Sequence, residues 1–114
     1  MRYRTQHEEL VVEGLRQPVS LGYLHAFFEY DLLDNDEAQQ RTLEMIRFLV
    51  GQQLFQIGSP ASFGYHQWLM PLDEAIAEIT SVYVDRFAER GGWEECIELY
   101  LSAKGKELGQ KLVR

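Results

Sequence analysis

Five carboxylates, Glu29, Asp31, Asp34, Asp36 and Glu37, fall within nine consecutive positions and form the densest group of ionisable side chains in the chain. Clustered carboxylates serve cation binding, acid–base catalysis or recognition of a cationic partner. A Ca²⁺ loop needs alternating ligands and a glycine at its sixth position, which Asp34-Asn35-Asp36-Glu37-Ala38-Gln39 lacks. Acid–base work needs one carboxyl held above its ordinary pKa, and a polar exposed bend provides nothing to raise it. Two uses remain. The acids cap and solvate a helix start, or they form a docking patch that steers a basic protein toward the chain.

The other reactive residue types give less. His25 and Glu29 stand four apart, a spacing that can ligate zinc, but a site needs three or four ligands and a second shell. His7 and His66 lie in other segments, and no His-Glu-x-x-His or paired-cysteine spacing occurs. Cys96, the single cysteine, lies between Glu95 and Ile97, a setting that raises a thiol pKa and favours a structural role. Ser59 and Ser62 flank Pro60 without a nucleophile elbow, and the glycines form neither a phosphate loop nor a dinucleotide fingerprint. No metal, cofactor or enzyme class is indicated.

Hydrophobic periodicity sets out the elements that must position these residues. A first helix spans Thr5 to Arg16, with Leu10, Val11, Gly14 and Leu15 on one face, and Gln17-Pro18 stops it. Ser20 caps a second helix carrying Leu21, Leu24, Phe27 and Phe28. The acidic bend follows, and Asp34, Asn35 or Asp36 caps a third helix whose apolar face is Leu43, Ile46, Leu49, Val50 and Leu54. The period then shortens. Phe55 and Ile57 alternate with Gln56, and Phe63 to Met70 is strand-like beyond a Gly58–Ser62 break, so the two runs form a hairpin. Phe55, Phe63, Tyr65 and Trp68 cannot all face inward from such a hairpin, because alternate side chains point to opposite faces. A helix from Pro71 carries Leu72, Ile76, Ile79, Tyr83 and Phe87, keeps Arg86 and Arg90 in its last turn, and ends at Gly91. Cys96 to Leu101 reads as a short strand, and Ser102 caps a closing helix with Leu108 and Leu112.

The chain of 114 residues is one domain, since two would each be too short to bury a core unaided. Eleven Lys and Arg against eighteen Asp and Glu leave a net charge of -7, which opposes phosphate backbones and anionic lipid and suits a basic partner. Gln52, Gln53, Gly58, Pro60 and His66 interrupt the longest uncharged stretch, Phe48 to Leu72, so it does not span a bilayer. The N-terminus has no apolar run of a secretory signal, and a lone cysteine fits a reducing compartment, so the expected location is cytoplasmic.

Three helices and a hairpin, followed by Leu99-Tyr100-Leu101-Ser102-Ala103-Lys104-Gly105-Lys106-Glu107-Leu108, resemble bacterial winged helix-turn-helix proteins. The segment Trp68-Leu69-Met70-Pro71-Leu72-Asp73-Glu74-Ala75 is similar to a pattern in small uncharacterised actinobacterial proteins. The resemblance implies that the third helix and the wing read DNA. Gln39, Gln40, Arg41 and Arg47 are then the DNA-binding candidates. Charge argues against that use, since the wing from Gly58 to Tyr65 has no Lys or Arg and Asp36, Glu37 and Glu44 oppose the two arginines. A homodimer would pool these few cations.

The expected fold is a single α+β domain over residues 1–114, mainly helical and winged-helix-like, with a small β-hairpin or three-stranded sheet. The leading functional expectation is a non-catalytic protein-binding module, in its most concrete form an immunity or antitoxin-like protein capping a basic toxin. Glu29, Asp31, Asp34, Asp36 and Glu37 would meet the partner's cations, and Tyr65 and Trp68 would serve as aromatic anchors. The alternative is a winged-helix transcription regulator.

Overall fold

The computed structural model describes residues 4–30, 34–60, 65–89 and 92–114. Asp31, Ser62, Phe63, Arg90 and Gly91, each given a role above, lie outside them. The chain is α+β and mainly helical. It runs α1 (Gln6–Arg16), β1 (Val19–Ser20), α2 (Leu21–Glu29), α3 (Asn35–Gly51), β2 (Phe55–Pro60), β3 (Tyr65–Gln67), α4 (Leu72–Tyr83), β4 (Glu98–Leu101) and α5 (Ala103–Leu112).

Side-chain chemistry sets most helix starts. Thr5 Oγ1 accepts from Glu8 N at 3.3 Å while Glu8 Oε1 accepts from Thr5 N at 2.8 Å, a reciprocal capping box that opens α1. Ser20 Oγ accepts from Tyr23 N and Ser102 Oγ from Gly105 N, opening α2 and α5. Of the three candidates for α3, Asp34 is the cap, and its Oδ1 accepts from Asp36 N at 2.8 Å. Pro71 precedes α4 and gives no side-chain cap bond, so Asp73 and Glu74 in the first turn complement the dipole instead.

The sheet is antiparallel throughout, in the order β1-β4-β2-β3. Among the described residues it therefore has four strands where a hairpin or three were expected. The added one, β1, is too short to show a period, and pairing Val19 with Leu99 creates it. Strand β4 enters last in sequence yet lies second in the sheet, with Leu99 opposite Ile57 and Leu101 opposite Phe55. Directly paired residues share a face, so Val19, Phe55, Ile57, Leu99 and Leu101 form the inner face and Gln56, Gly58, Tyr65 and Tyr100 the outer. Val19, Phe55, Ile57 and Leu99 of the inner face and Leu10, Leu21, Leu24, Ile46, Leu49 and Ile79 from the helices make the buried core, with Leu101 half-buried against it. Each buried side chain contributes about 1.5–3 kcal/mol relative to full exposure.

Several boundaries differ from the periodicity. Strand β2 runs through Gly58, Ser59 and Pro60, where a break was expected, because these residues pair with Gln67, His66 and Tyr65, and of the described residues in the Phe63–Met70 run β3 holds Tyr65–Gln67. Helix α3 stops at Gly51 rather than carrying on to Leu54, because Gln53 takes a left-handed φ of 62° and turns the chain into β2. Helix α4 stops at Tyr83 rather than running to Gly91. Val84 and Asp85 both donate to Thr80 O, and the turn they make brings Phe87 onto Trp93, with ring centroids 5.0 Å apart and planes 22° apart. The expected last turn with Arg86 does not form. Burial of Phe87 against Trp93 outweighs continuing the helical hydrogen bonds.

Candidate functional site

The C-terminus of α2, the N-terminus of α3 and the C-terminus of α4 meet at one end of the molecule. His25, only 4% exposed, ties them together. Its Nδ1 lies 2.5 Å from the Tyr83 hydroxyl, and its Nε2 lies 3.3 Å from Asn35 Oδ1 and 3.5 Å from Glu29 Oε2. Two acceptors face Nε2, which assigns the ring proton to that nitrogen and leaves Nδ1 to accept from the Tyr83 O–H. Phe87 and Trp93 enclose the imidazole, with centroids 5.1 and 5.2 Å away. Burial pushes the Tyr83 hydroxyl up to about 12; the nearby Thr42 hydroxyl works against the rise and the Glu29 charge adds to it. A ring so enclosed has no access to a substrate. Here His25 positions three elements.

Outside this buried relay, Glu29, Asp34, Asp36 and Glu37 are all exposed at the same end. The Asp34 carboxylate is engaged as the α3 cap, and Glu29 faces His25. Neither Asp36 nor Glu37 is in an ion pair among the described residues. Beside Glu29 stands Tyr30, 88% exposed, which ends α2. Reasoning from the sequence passed over Tyr30; the signal for it was its place inside the acidic run, off the Leu21, Leu24, Phe28 face of the helix.

Tyr65 and Trp68 do not join this patch, contrary to the expectation that they would anchor the same partner. Trp68 lies by the C-terminal end of α3, whose 17 residues set its two ends about 25 Å apart, and Tyr65 lies by the C-terminal end of α1. They also occupy opposite faces of the sheet. The Tyr65 ring stacks on Tyr100 at a centroid distance of 3.5 Å, over Gly58, and its hydroxyl donates to Gln56 Oε1 at 3.0 Å. Trp68 turns inward and its indole N–H donates to Ser59 Oγ at 2.7 Å. Both tips are satisfied within the chain.

The DNA-reading candidates on α3 are likewise divided. Gln39, expected as a DNA-binding candidate, is instead buried at 6% exposure with its amide donating to Tyr83 O at 3.3 Å, so it holds α3 against α4 and does not face a groove. Arg47 is paired with Asp73 of α4. Gln40 donates to Glu44 Oε1 at 3.3 Å, and Arg41 is exposed. Gln40 and Arg41 are thus the exposed pair of these four candidates outside an ion pair among the described residues, and the Gln40 amide is engaged by Glu44.

At the far end of α3 a half-open cleft of about 470 Å³ lies between β2, the β3–α4 connection and the start of α5. Its walls are mostly apolar, Phe55, Ile57, Trp68 and Leu72 among them, and Lys104 is its one ionised lining residue among the described residues. Cys96 is half-buried elsewhere, and burial pushes its thiol up. Among the described residues, no three His, Cys, Asp or Glu side chains are grouped to hold a metal ion. No described helix is long and apolar enough to cross a membrane.

No protein-family model, curated protein or solved structure matches the chain.

Proposed function

We propose that this chain is a non-catalytic, cytoplasmic protein-binding module that docks a basic protein on its acidic end, in the manner of an immunity or antitoxin protein capping a toxin. The observation that carries the reading is electrostatic. Asp36 and Glu37 stand exposed and in no ion pair among the described residues, Arg41 lying one helical turn from Glu37 on the same surface, while Arg47 of α3 is held by Asp73. Unneutralised carboxylates on a chain of net charge -7 attract a cationic surface from a distance and speed its encounter. Tyr30 replaces Tyr65 and Trp68 as the aromatic contact of this patch, because among the described residues it is the aromatic that is both exposed and adjacent. The winged-helix reading of α1 to α3 and the hairpin belongs to this proposal and is supported by the element order, with protein rather than DNA as the partner.

The test is recovery of a stoichiometric basic protein on the tagged chain at moderate salt, followed by affinity measurements on variants. Asp36→Lys with Glu37→Lys is expected to weaken the complex about tenfold or more and to flatten its salt dependence. Asp34→Asn keeps the capping oxygen and serves as a folded control. Full affinity in the double variant would overturn the acidic-end mechanism. Recovery of duplex DNA and no protein would direct attention to Gln40 and Arg41.

A further inference from the structure

The cleft at the other end of α3 has the size and chemistry of a small-molecule site. Its volume of about 470 Å³ lies within the range of ligand pockets, and such pockets pair apolar walls with a few polar groups. Phe55 and Ile57 of β2 form the floor, Leu72 one wall, and Trp68 the other. The Trp68 ring is fixed there by its hydrogen bond to Ser59, so this wall is preformed. Apolar surface continues at the mouth, where Met70 is 38% exposed and neighbouring Leu69 is 87% exposed.

The charge of the cleft selects the ligand. Among the described residues Lys104 is its only ionised lining residue, in a protein whose acids outnumber its cations. The Lys104 ammonium donates to Gln52 O at 2.9 Å, which fixes it at the rim and leaves its other two N–H donors available. The ligand complement of this arrangement is an apolar body with one negative group at its edge. We propose that the cleft binds a small apolar carboxylate, aryl or short-chain acyl, with the ring or chain against Trp68, Phe55 and Leu72 and the carboxylate at Lys104. A neutral ligand would make no charge-assisted bond to the ammonium, and a basic ligand would meet it with like charge. This site is independent of the acidic end and of the docking reading.

The probe is 2-naphthoate, titrated into the full-length, isotopically labelled chain and followed by amide and indole chemical shifts. The two tryptophans make the experiment self-controlled, because Trp68 lines the cleft while Trp93 is buried beside His25. Saturable shifts are expected at the Trp68 indole and at the Ala103 and Lys104 amides, with the Trp93 indole unmoved. Lys104→Gln, which conserves the stem and removes the charge, is expected to weaken binding about fivefold, as is replacing the probe by neutral 2-naphthamide. An unchanged spectrum of Lys104→Gln without probe shows that the variant is folded. Shifts centred elsewhere, no saturation at millimolar probe, or equal binding of the acid and the amide would each overturn the proposal.

Discussion

Tyr83 illustrates how much one side chain decides. It is fully buried, accepts no solvent, and presents its hydroxyl to His25 Nδ1, while its own backbone carbonyl receives the Gln39 amide. Tyr83→Phe keeps the ring and removes the donor, leaving a buried imidazole nitrogen unsatisfied. The expected loss is about 1–3 kcal/mol at neutral pH, read as a lower urea midpoint with unchanged slope. A pH dependence follows as well. The folded hydroxyl titrates near 12 against an ordinary 10.0, so the folded chain keeps a proton that the unfolded chain releases. This contribution is whole below pH 10 and is lost as pH rises toward 12. Stability should fall across that window, and the fall should be shallower in Tyr83→Phe. An identical slope in both proteins would refute the assignment. The ring was legible in the sequence as part of the α4 stripe; its partner, 58 residues away, was not.

Elements meet through similarly specific contacts, and the start of α5 is the clearest. Ser102 Oγ both accepts from Gly105 N and donates to Gln53 O, Ser102 N donates to Leu54 O, and Lys104 reaches Gln52 O. The turn after α3, with its left-handed Gln53, is thus clamped onto α5. Gly105 allows the approach: a Cβ there would come within 2.1 Å of Leu54 O, a rigid backbone atom. The Ser-Ala-Lys-Gly run that suggested a family likeness therefore has a packing reason in this chain. Gly105→Ala is expected to cost about 2 kcal/mol or more, as overpacking against backbone does. Gly51→Ala, where the nearest atom is 3.9 Å away, should be neutral or slightly stabilising. Equal effects in denaturant melts would mean that the clamp is not tight. Sequence placed the α5 cap correctly because Ser before a helical run has a local meaning. It missed the end of α4, because the turn at Val84 answers to the stacking of Phe87 on Trp93 rather than to propensity.

For the whole molecule the governing quantity is charge. Eighteen acids against eleven cations leave long-range repulsion in the folded chain, and the ion pairs that offset it are mostly exposed. Exposed pairs contribute about 0–1 kcal/mol each. Salt should therefore stabilise the isolated protein. Raising NaCl from about 20 mM to about 500 mM shortens the screening length several-fold and should lift the thermal midpoint by a few degrees. A falling midpoint would show that exposed pairs and helix-dipole contacts outweigh the repulsion. Salt would act oppositely on the proposed complex, whose attraction it screens.

The α+β class, four of the five helix caps or starts, the hairpin and the acidic run were all legible in the linear chain. These depend on neighbours within a few residues, where periodicity, capping chemistry and turn formation operate. Tertiary structure alone inserted β4 between β1 and β2, because strand pairing joins backbone groups far apart in the chain. It alone buried Gln39, an ordinary polar residue by sequence, by bringing the Tyr83 carbonyl to its amide. It also separated Trp68 from the acids by the length of α3 and placed it over a cleft with Lys104. Which side chains share a surface is set by packing across the fold, and packing energies carry no local signature.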